Sequence, residues 1–372
     1  MLCGLAGSAG LLIAFRVFQG MAGGLLAPMA QMMMARAAGP RMAQVVSFAA
    51  LPVLLAPLLG PVIAGSILQF ASWRWLFLIN LPVGVLALAL AVVLLPDDRE
   101  ETRPRSLDLA GLALLSPGLV LFLYGTDHLG GRMGITTLVA SVIMLVLFHR
   151  VAIRKGEAAL IDPRLLKAKV FSASIAAMFM LNGISFAGQM LIPIYLIQGC
   201  GLSPSMTGWL LAPLGVGMMC TYPLMGHLTR RFGIRPIAVS GALLALAGTL
   251  PLLYLASHGL VVMVLAVSLF VRGVGMSAIG IPSITAGYAS VPRADLPMAT
   301  TTMNIFQRLG GPTLTTLCAT LLAWRLGSAR ADVAVIGPFT VAFGLLCAFH
   351  AGLFAAVLRL PASLNARAAR DA

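Results

Sequence analysis

Charged residues are scarce in this sequence. Asp, Glu, Lys and Arg make up only 10% of its 372 residues, whereas soluble domains carry about 25%. The mean hydropathy of +0.99 is too high for an ordinary water-soluble domain, which excludes that class. The net charge of +14 therefore does not indicate a nucleic-acid partner. In a membrane protein it indicates which side of the bilayer each connecting segment faces.

Cysteine and histidine patterns are also missing. The five cysteines form neither a CxxC pair nor a Cys/His spacing, which argues against a metal site or a disulfide framework. The five histidines show no ligand spacing either, and no glycine-rich loop suited to phosphate binding is present. The sequence therefore predicts a protein that is not an enzyme and that binds no metal and no cofactor.

Long apolar runs fill most of the chain. A membrane-crossing helix needs roughly 20 apolar residues, and we find eleven runs of about this length. They predict an all-α polytopic membrane protein with about eleven complete transmembrane helices and an N-terminal stub. The predicted spans are 10–35, 43–70, 75–95, 108–126, 134–149, 170–198, 206–228, 237–256, 260–289, 297–324 and 338–359.

The basic residues predict the orientation of these spans. Of the 25 Lys and Arg residues, 18 fall in one set of alternate connections and the C-terminal tail, and four fall in the opposite set. The richer set, and with it the C-terminus, is predicted to be cytoplasmic. The first complete span would then begin outside, although only about nine residues precede it. We therefore expect the front of a longer protein to be absent from this sequence.

Three motifs stand out in the front third. RVFQG places Arg16 and Gln19 inside the first span. Mid-span in the second run, a proline removes a backbone donor and bends the helix, and small residues let a neighbour pack into the bend; these hinge residues are Gly60, Pro61 and Gly65. The third motif, WRWLFLINLPVG, combines interfacial aromatic and basic residues with a helix start, and its candidate residues are Trp73, Arg74, Trp75, Asn80 and Pro82.

Together these motifs resemble the major facilitator superfamily, in particular its fourteen-helix drug/proton antiporter branch. The resemblance implies that 10–35 is the fourth helix of the fold, with the first two and a half helices absent. In the hinge region, Ala56 and Ala64 stand where the family usually has glycines. The implied domains are an N-terminal bundle, a connector with an extra two-helix hairpin, a C-terminal six-helix bundle and a cytoplasmic tail, at 1–95, 96–150, 151–361 and 362–372.

The segment GHLTRRFGIRP (226–236) resembles a cytoplasmic loop motif of the same superfamily. Arg230 occupies a position where that motif commonly has an acid. An alternative is that the segment is only a basic loop that sets topology. The matching residues are Gly226, Arg231, Gly233 and Arg235.

Arg16 is unexpected because an arginine at the centre of a membrane helix costs at least about 2.5–3.5 kcal/mol. Its side chain either reaches the outer membrane surface, or lines a cavity with Gln19 and influences protonation of a nearby carboxylate. The resemblance favours the second interpretation. For Arg272 and Arg308 we expect positions near the cytoplasmic helix ends. Glycines in the late spans are expected to serve helix packing: Gly273, Gly275, Gly310 and Gly311.

Carboxylates are absent from the apolar runs. A proton-driven carrier usually needs a titratable group along its pathway, and the resemblance implies that such an acid lies in the first helix, outside this sequence. All eleven acids fall in connections, at helix ends or in the tail: Asp97, Asp98, Glu100, Glu101, Asp108, Asp127, Glu157, Asp162, Asp295, Asp332 and Asp371.

Uncharged polar residues inside late spans are candidates for a substrate cavity, or alternatively for hydrogen bonds between helices. They are Asn182, Gln189, Asn304 and Gln307. We expect a secondary active transporter of the inner membrane that exports amphipathic drugs or other small molecules in exchange for protons. The bilayer and, in some relatives of this branch, a periplasmic adaptor protein are the expected partners. The alternative is a truncated, transport-incompetent remnant, which an early in-frame stop upstream of the first codon would indicate.

Overall fold

A computed structural model of the chain describes residues 2–38, 70–94, 108–128, 131–328 and 336–362, together with positions 45 and 67. Every regular element in these ranges is helical, and no strand occurs there. The chain divides into two compact units, Met1–Ala30 with Pro52–Ser106, and Gln31–Leu51 with Leu107–Ala372.

The described part of the first unit contains few elements. A 3-10 turn (Leu2–Leu5) precedes α1 (Ala9–Ala38), whose last residues belong to the second unit. The short helix α2 (Trp75–Leu78) leads directly into α3 (Asn80–Leu94). The predicted span 43–70 lies almost entirely outside the described residues, and so do its hinge candidates Gly60, Pro61 and Gly65.

The second unit contains the other ten helices of the described ranges. In chain order they are α4 (Leu109–Asp127), α5 (Arg132–Lys155), α6 (Pro163–Lys167), α7 (Lys169–Ile194), α8 (Pro204–Phe232), α9 (Ile234–Ala247), α10 (Leu250–His258), α11 (Val262–Ala289), α12 (Leu296–Ser328) and α13 (Ile336–Val357). Helices α4 and α5 form a hairpin, while α7 packs against α11, α12 and α13. The largest buried apolar cluster lies among α7 to α13.

The predicted spans that fall in described residues agree with the observed helices to within about four residues at their ends, except that α5 continues six residues beyond the predicted end of 134–149. Three of the spans are not continuous α-helices. The run 75–95 is interrupted at Ile79, between α2 and α3. The run 170–198 changes to a π-helix at Tyr195–Gly199, just after Pro193, whose missing N–H weakens the α-helical pattern. The run 237–256 is interrupted between α9 and α10. Pro251 in the first turn of α10 cannot donate to the preceding turn, which explains the break.

Nine helices in the described ranges are long and apolar enough to cross a membrane. Helix α12 is not among them, although it is 33 residues long and covers the predicted span 297–324. Its polar residues lower its hydropathy, and several of them, including Thr300, Thr302 and Asn304, are buried against the neighbouring helices. A helix enclosed by other helices can carry such residues because its polar groups do not face lipid.

Two glycines allow α8 and α11 to approach each other closely. A β-carbon added at Gly217 would overlap the carbonyl of Phe270, and one at Gly273 would overlap the carbonyl of Leu214. The backbones of α8 and α11 are therefore in direct contact at both glycines, which is the small-residue packing typical of membrane helices. The packing role expected for Gly273 agrees with this contact.

Asp108 joins the start of the α4–α5 hairpin to its end. Its carboxylate caps α4 by accepting from the Gly111 N–H at 2.8 Å, and it also accepts from Lys155 Nζ at 2.5 Å and from the Leu160 N–H at 3.0 Å. Burial raises the pKa of this carboxyl, but the three hydrogen bonds outweigh burial and leave the pKa below its ordinary value of 3.8. The ionised form therefore stabilises the hairpin.

We expect Asp108→Ala to lower the unfolding temperature of the purified protein more than Lys155→Met, because the first change removes the shared acceptor and the second only one of its donors. The stabilisation by Asp108 is complete above its ordinary pKa of 3.8, and is lost as the pH falls through the lower folded pKa. Thermal unfolding of the parent and of both variants, followed at neutral and at acid pH, measures this contribution of Asp108. Equal unfolding temperatures for Asp108→Ala and the parent at neutral pH would contradict a stabilising role of the carboxylate.

Candidate functional site

The RVFQG motif and the WRWLFLINLPVG motif meet within the first unit. The guanidinium of Arg16 lies 4.7 Å from the ring centroid of Phe77, a cation–π arrangement. Arg16 Nη1 also donates to Gln19 Oε1 at 3.3 Å, and Cys3 Sγ approaches the same oxygen at 3.5 Å. The Arg16 side chain is exposed within its unit, and no acid among the described residues pairs with it.

The remaining residues of the second motif have structural contacts. Arg74 lies 5.1 Å from the Trp73 ring centroid and donates to the carbonyl of Ala6 at 3.4 Å, which joins this turn to the N-terminal segment. Trp75 is exposed. Asn80 begins α3, with Pro82 in its first turn, where a proline's missing N–H costs no helical hydrogen bond.

The loop between α8 and α9 is bound to residues 360–362, which follow α13. Gly233 has a φ of +89°, a conformation that favours glycine, and a β-carbon there would overlap the carbonyl of Ala362. Arg235 Nε donates to the Leu360 carbonyl at 2.6 Å. By contrast, Arg231 lies over its neighbour Phe232, and Gly226 is buried within α8. These contacts fix the loop to the end of the bundle.

A cavity of about 210 Å³ lies inside the second unit, between α7, α8, α11 and α12. Its wall combines apolar and polar side chains and carries no ionisable group other than a tyrosine hydroxyl. Methionines contribute from three of the four helices, which gives the wall polarizable and adaptable surfaces. The polar, methionine and tyrosine residues of the wall are Met178, Asn182, Ser185, Met218, Tyr222, Met276 and Gln307.

The structure places two of the four predicted cavity residues at this wall. Asn182 and Gln307 line the cavity. Gln189 is exposed on α7 and donates to Ser185 Oγ at 3.1 Å. Asn304 is buried and donates to Gln31 Oε1 at 2.7 Å, an oxygen that also accepts from the Tyr288 hydroxyl at 2.6 Å. Asn304 therefore has the alternative role, a hydrogen bond between helices.

Hydrogen-bonding capacity at the cavity wall is left unused. Gln307 Oε1 is buried and has no partner among the described residues. Asn182 uses its amide nitrogen on the Met178 carbonyl at 3.1 Å, so its Oδ1 remains an acceptor. Ser185 Oγ accepts from Gln189 and keeps its own proton to donate. The wall thus offers two acceptors and several donors to a bound molecule.

Sequence reasoning missed Ser185 and Tyr222 as lining residues. Ser185 was detectable because it lies three positions after Asn182, on the same face of a helix. Tyr222 is a polar-tipped aromatic in an apolar helix and carried no comparable positional signal. Helix rotation, which the sequence does not specify, decides that this face of α7 points into the cavity.

The expectation that Arg272 lies near a helix end is wrong. Arg272 is in the interior of α11 and is only 1% exposed. One Nη donates to the Ile184 carbonyl on α7 at 2.8 Å, whereas its Nε has no partner among the described residues. A β-carbon at Gly188 would overlap the guanidinium, so the absence of a side chain there leaves space for the arginine. No described acid pairs with this buried cation.

The acids that the structure describes all lie at helix ends or in connecting turns, as predicted. Asp108 and Asp162 are N-caps, of α4 and α6. Asp127 ends α4, while Glu157 and Asp295 belong to 3-10 turns. Within the described ranges, the interiors of the long apolar helices contain no carboxylate.

Comparison with known proteins adds family information. The profile of the Major Facilitator Superfamily matches residues 1–315. The chain is 32% identical over 333 residues to a "Multidrug resistance protein B homolog" of Mycobacterium tuberculosis, covering 87% of the chain and 62% of that relative. It is also 32% identical over 259 residues to a "Putative multidrug resistance protein MdtD" of Salmonella typhi, covering 65% of the chain and 52% of that relative.

The chain thus spans only about half to three fifths of the length of these curated relatives. Among solved structures, a bacterial homologue of the iron transporter ferroportin in an outward-facing state aligns over 96% of the chain and 92% of its own. The sequence identity is 14% and the TM-score is 0.43.

Proposed function

The chain belongs to the major facilitator superfamily, and on this premise we propose that it acts as a secondary transporter that exports small amphipathic compounds. The observation that carries the proposal is the cavity between α7, α8, α11 and α12, with its mixed apolar and polar wall and its unused hydrogen-bonding groups. Carrier cargo typically binds near the membrane midplane between helices. The names of both curated relatives, which refer to multidrug resistance, support drugs as the cargo class, and the mixed wall of the cavity supports amphipathic ones.

We propose the cytoplasmic (inner) membrane as its location, with the C-terminus in the cytoplasm. The 18-to-4 distribution of Lys and Arg between alternate connections supports this orientation. In this location the lipid bilayer surrounds the protein and is its first proposed partner. For the chain as a whole we propose the bundle, hairpin, bundle and tail arrangement at 1–95, 96–150, 151–361 and 362–372. A periplasmic adaptor protein is proposed on the family resemblance alone.

Proton coupling is the second part of the proposal. Arg16 and Gln19 form a hydrogen-bonded pair on α1, and the arginine has no carboxylate partner among the described residues. A guanidinium in an apolar helix lowers the pKa of any acid that comes close to it. We propose that Arg16 does this to an acid that takes up the exchanged proton.

Whole cells provide the test of export. Cells that express the protein are expected to retain less of at least one compound from a panel of uncharged and cationic fluorescent amphiphiles than cells with an empty vector. A protonophore should remove the difference if export is driven by protons. Equal retention of every compound in both strains would rule out drug export.

Arg16→Gln is expected to reduce proton-driven export at least about tenfold, because it removes the charge that interacts with the proton-accepting group. Arg16→Lys retains a charge but not the planar donor geometry, and should recover part of the activity. The matched control is Arg132→Gln, at the start of α5. Initial export rates at equal protein amounts measure the effect, and an unchanged rate for Arg16→Gln would exclude Arg16 from coupling.

A further inference from the structure

We propose that the cavity of the second unit selects an uncharged part of its cargo, one with an aromatic ring and N–H or O–H donor groups, and disfavours organic cations. This inference rests on the proposed function, because it takes the cavity as a cargo subsite. It adds a chemical class to that subsite, which neither the relatives' names nor the family match supplies.

The unused acceptors supply the first argument. Gln307 Oε1 is buried without a hydrogen-bond partner among the described residues, and a buried polar atom left unpaired costs about 1–3 kcal/mol. Asn182 Oδ1 is a second acceptor at the same wall, since the amide nitrogen of Asn182 is already bonded to Met178. A cargo group that donates an N–H or O–H to these oxygens recovers that cost on binding.

The electrostatics supply the second argument. No lining residue of the cavity is an Asp, Glu, Lys, Arg or His. Arg272 lies one helical turn from the lining residue Met276, and its guanidinium is bonded to the carbonyl of Ile184, the neighbour of the lining residue Ser185. A cation in the cavity would lose hydration without gaining a counter-charge, and it would be repelled by this guanidinium in a poorly screened interior.

The volume of the cavity and the polarizable methionine side chains of its wall supply the third argument. A volume of about 210 Å³ is below the roughly 300–1,000 Å³ of complete sites for drug-sized ligands. It therefore fits one ring and a donor-bearing substituent better than a whole drug molecule. Met178, Met218 and Met276 give favourable contacts between sulfur and aromatic rings, and the Tyr222 ring adds a further aromatic surface.

The test is equilibrium binding to the full chain in lipid nanodiscs, using two tritiated probes. Chloramphenicol is uncharged, has an aromatic ring and carries one N–H and two O–H donors. Tetraphenylphosphonium is aromatic and cationic and has no donor. We expect saturable binding of chloramphenicol, and binding of tetraphenylphosphonium that is at least about tenfold weaker.

Two substitutions of Gln307 localise the effect. Gln307→Leu should weaken chloramphenicol binding by about three- to tenfold, the value of one neutral hydrogen bond. It should not lower the unfolding temperature, because it removes an unpaired buried oxygen. Gln307→Glu should shift the preference towards tetraphenylphosphonium by introducing a counter-charge. The matched control is Gln198→Leu, an exposed glutamine of the π-helical segment outside the cavity, which should leave both affinities unchanged.

Several results would overturn the inference: no saturable binding of chloramphenicol, equal or tighter binding of tetraphenylphosphonium, or equal losses from Gln307→Leu and Gln198→Leu. A lower unfolding temperature for Gln307→Leu would assign the glutamine a structural role and would also overturn it. These results are distinguishable from a failure of the proposed function. Binding with the expected preference but without export from cells would contradict transport. Export without this preference would contradict only the subsite.

Discussion

One added methyl group, in Gly217→Ala, is expected to destabilise the protein by about 2–3 kcal/mol and to reduce the yield of monodisperse protein sharply. The β-carbon would overlap the Phe270 carbonyl of α11, and the opposite glycine, Gly273, already places its own α-carbon against α8. The atoms that the β-carbon would meet belong to the backbone of Phe270 and Val274, so no side-chain rotation can relieve the overlap. The two helices would have to separate along their contact.

Gly215→Ala is the matched control, two residues earlier on the same helix. A β-carbon there meets nothing within 4 Å among the described residues, and alanine has a higher helix propensity than glycine by about 0.8–1.0 kcal/mol. We therefore expect unchanged or slightly higher stability. Size-exclusion profiles and unfolding temperatures of the two variants in the same detergent measure the difference. Indistinguishable size-exclusion profiles and unfolding temperatures for the two variants would show that Gly217 does not pack closely against the Phe270 carbonyl of α11.

Gly188→Ala is expected to be costly only while Arg272 is present. The new β-carbon would overlap the guanidinium, which fills its site and is 1% exposed. The arginine would have to move away and lose its hydrogen bond to Ile184. In an Arg272→Ala background the space is empty and the added methyl group fills part of it. The two changes should therefore be strongly non-additive, with a coupling of about 2 kcal/mol.

A double-mutant cycle on unfolding free energies measures this coupling directly. The two single variants and the double variant are compared with the parent at one detergent concentration. Gly208→Ala, at a glycine of α8 with no atom within 4 Å of an added β-carbon, serves as the control and should be additive with Arg272→Ala. Additivity of Gly188→Ala and Arg272→Ala would contradict the buried position of Arg272.

Helix positions could be predicted because a membrane span is a long apolar run with polar ends, and all ten predicted spans that fall in described residues contain a helix. The interruption at Gly248 and Thr249 could not be located from hydropathy, since both flanking segments are apolar. It depends on Pro251 and on the close approach of Gly248 to the backbone of Arg272.

The candidate site was only partly predictable, for a different reason. A polar residue in an apolar helix is conspicuous, and Asn182, Gln189, Asn304 and Gln307 were found in this way. Which of them face a cavity depends on helix rotation and on neighbours far away in the chain. Asn304 bonds to a residue 273 positions away, and the sequence contains no local signal for such a contact.

The buried position of Arg272 could not be predicted from its place in an apolar run. A basic residue in an apolar run is usually assigned to a helix end, where its side chain can reach water. Here it is enclosed by the helix bundle, next to a glycine that leaves it space and a carbonyl that accepts a hydrogen bond from it. Neither partner is recognisable before the helices are assembled.

Proton-driven movement of cargo is the central claim, and proteoliposomes test it most directly. The protein is reconstituted into vesicles that are acidic inside, and uptake of tritiated chloramphenicol is followed with and without a protonophore. We predict accumulation above that of protein-free vesicles, and its loss when the protonophore removes the pH gradient. Identical uptake by vesicles with and without the protein, at every gradient applied, would contradict the account.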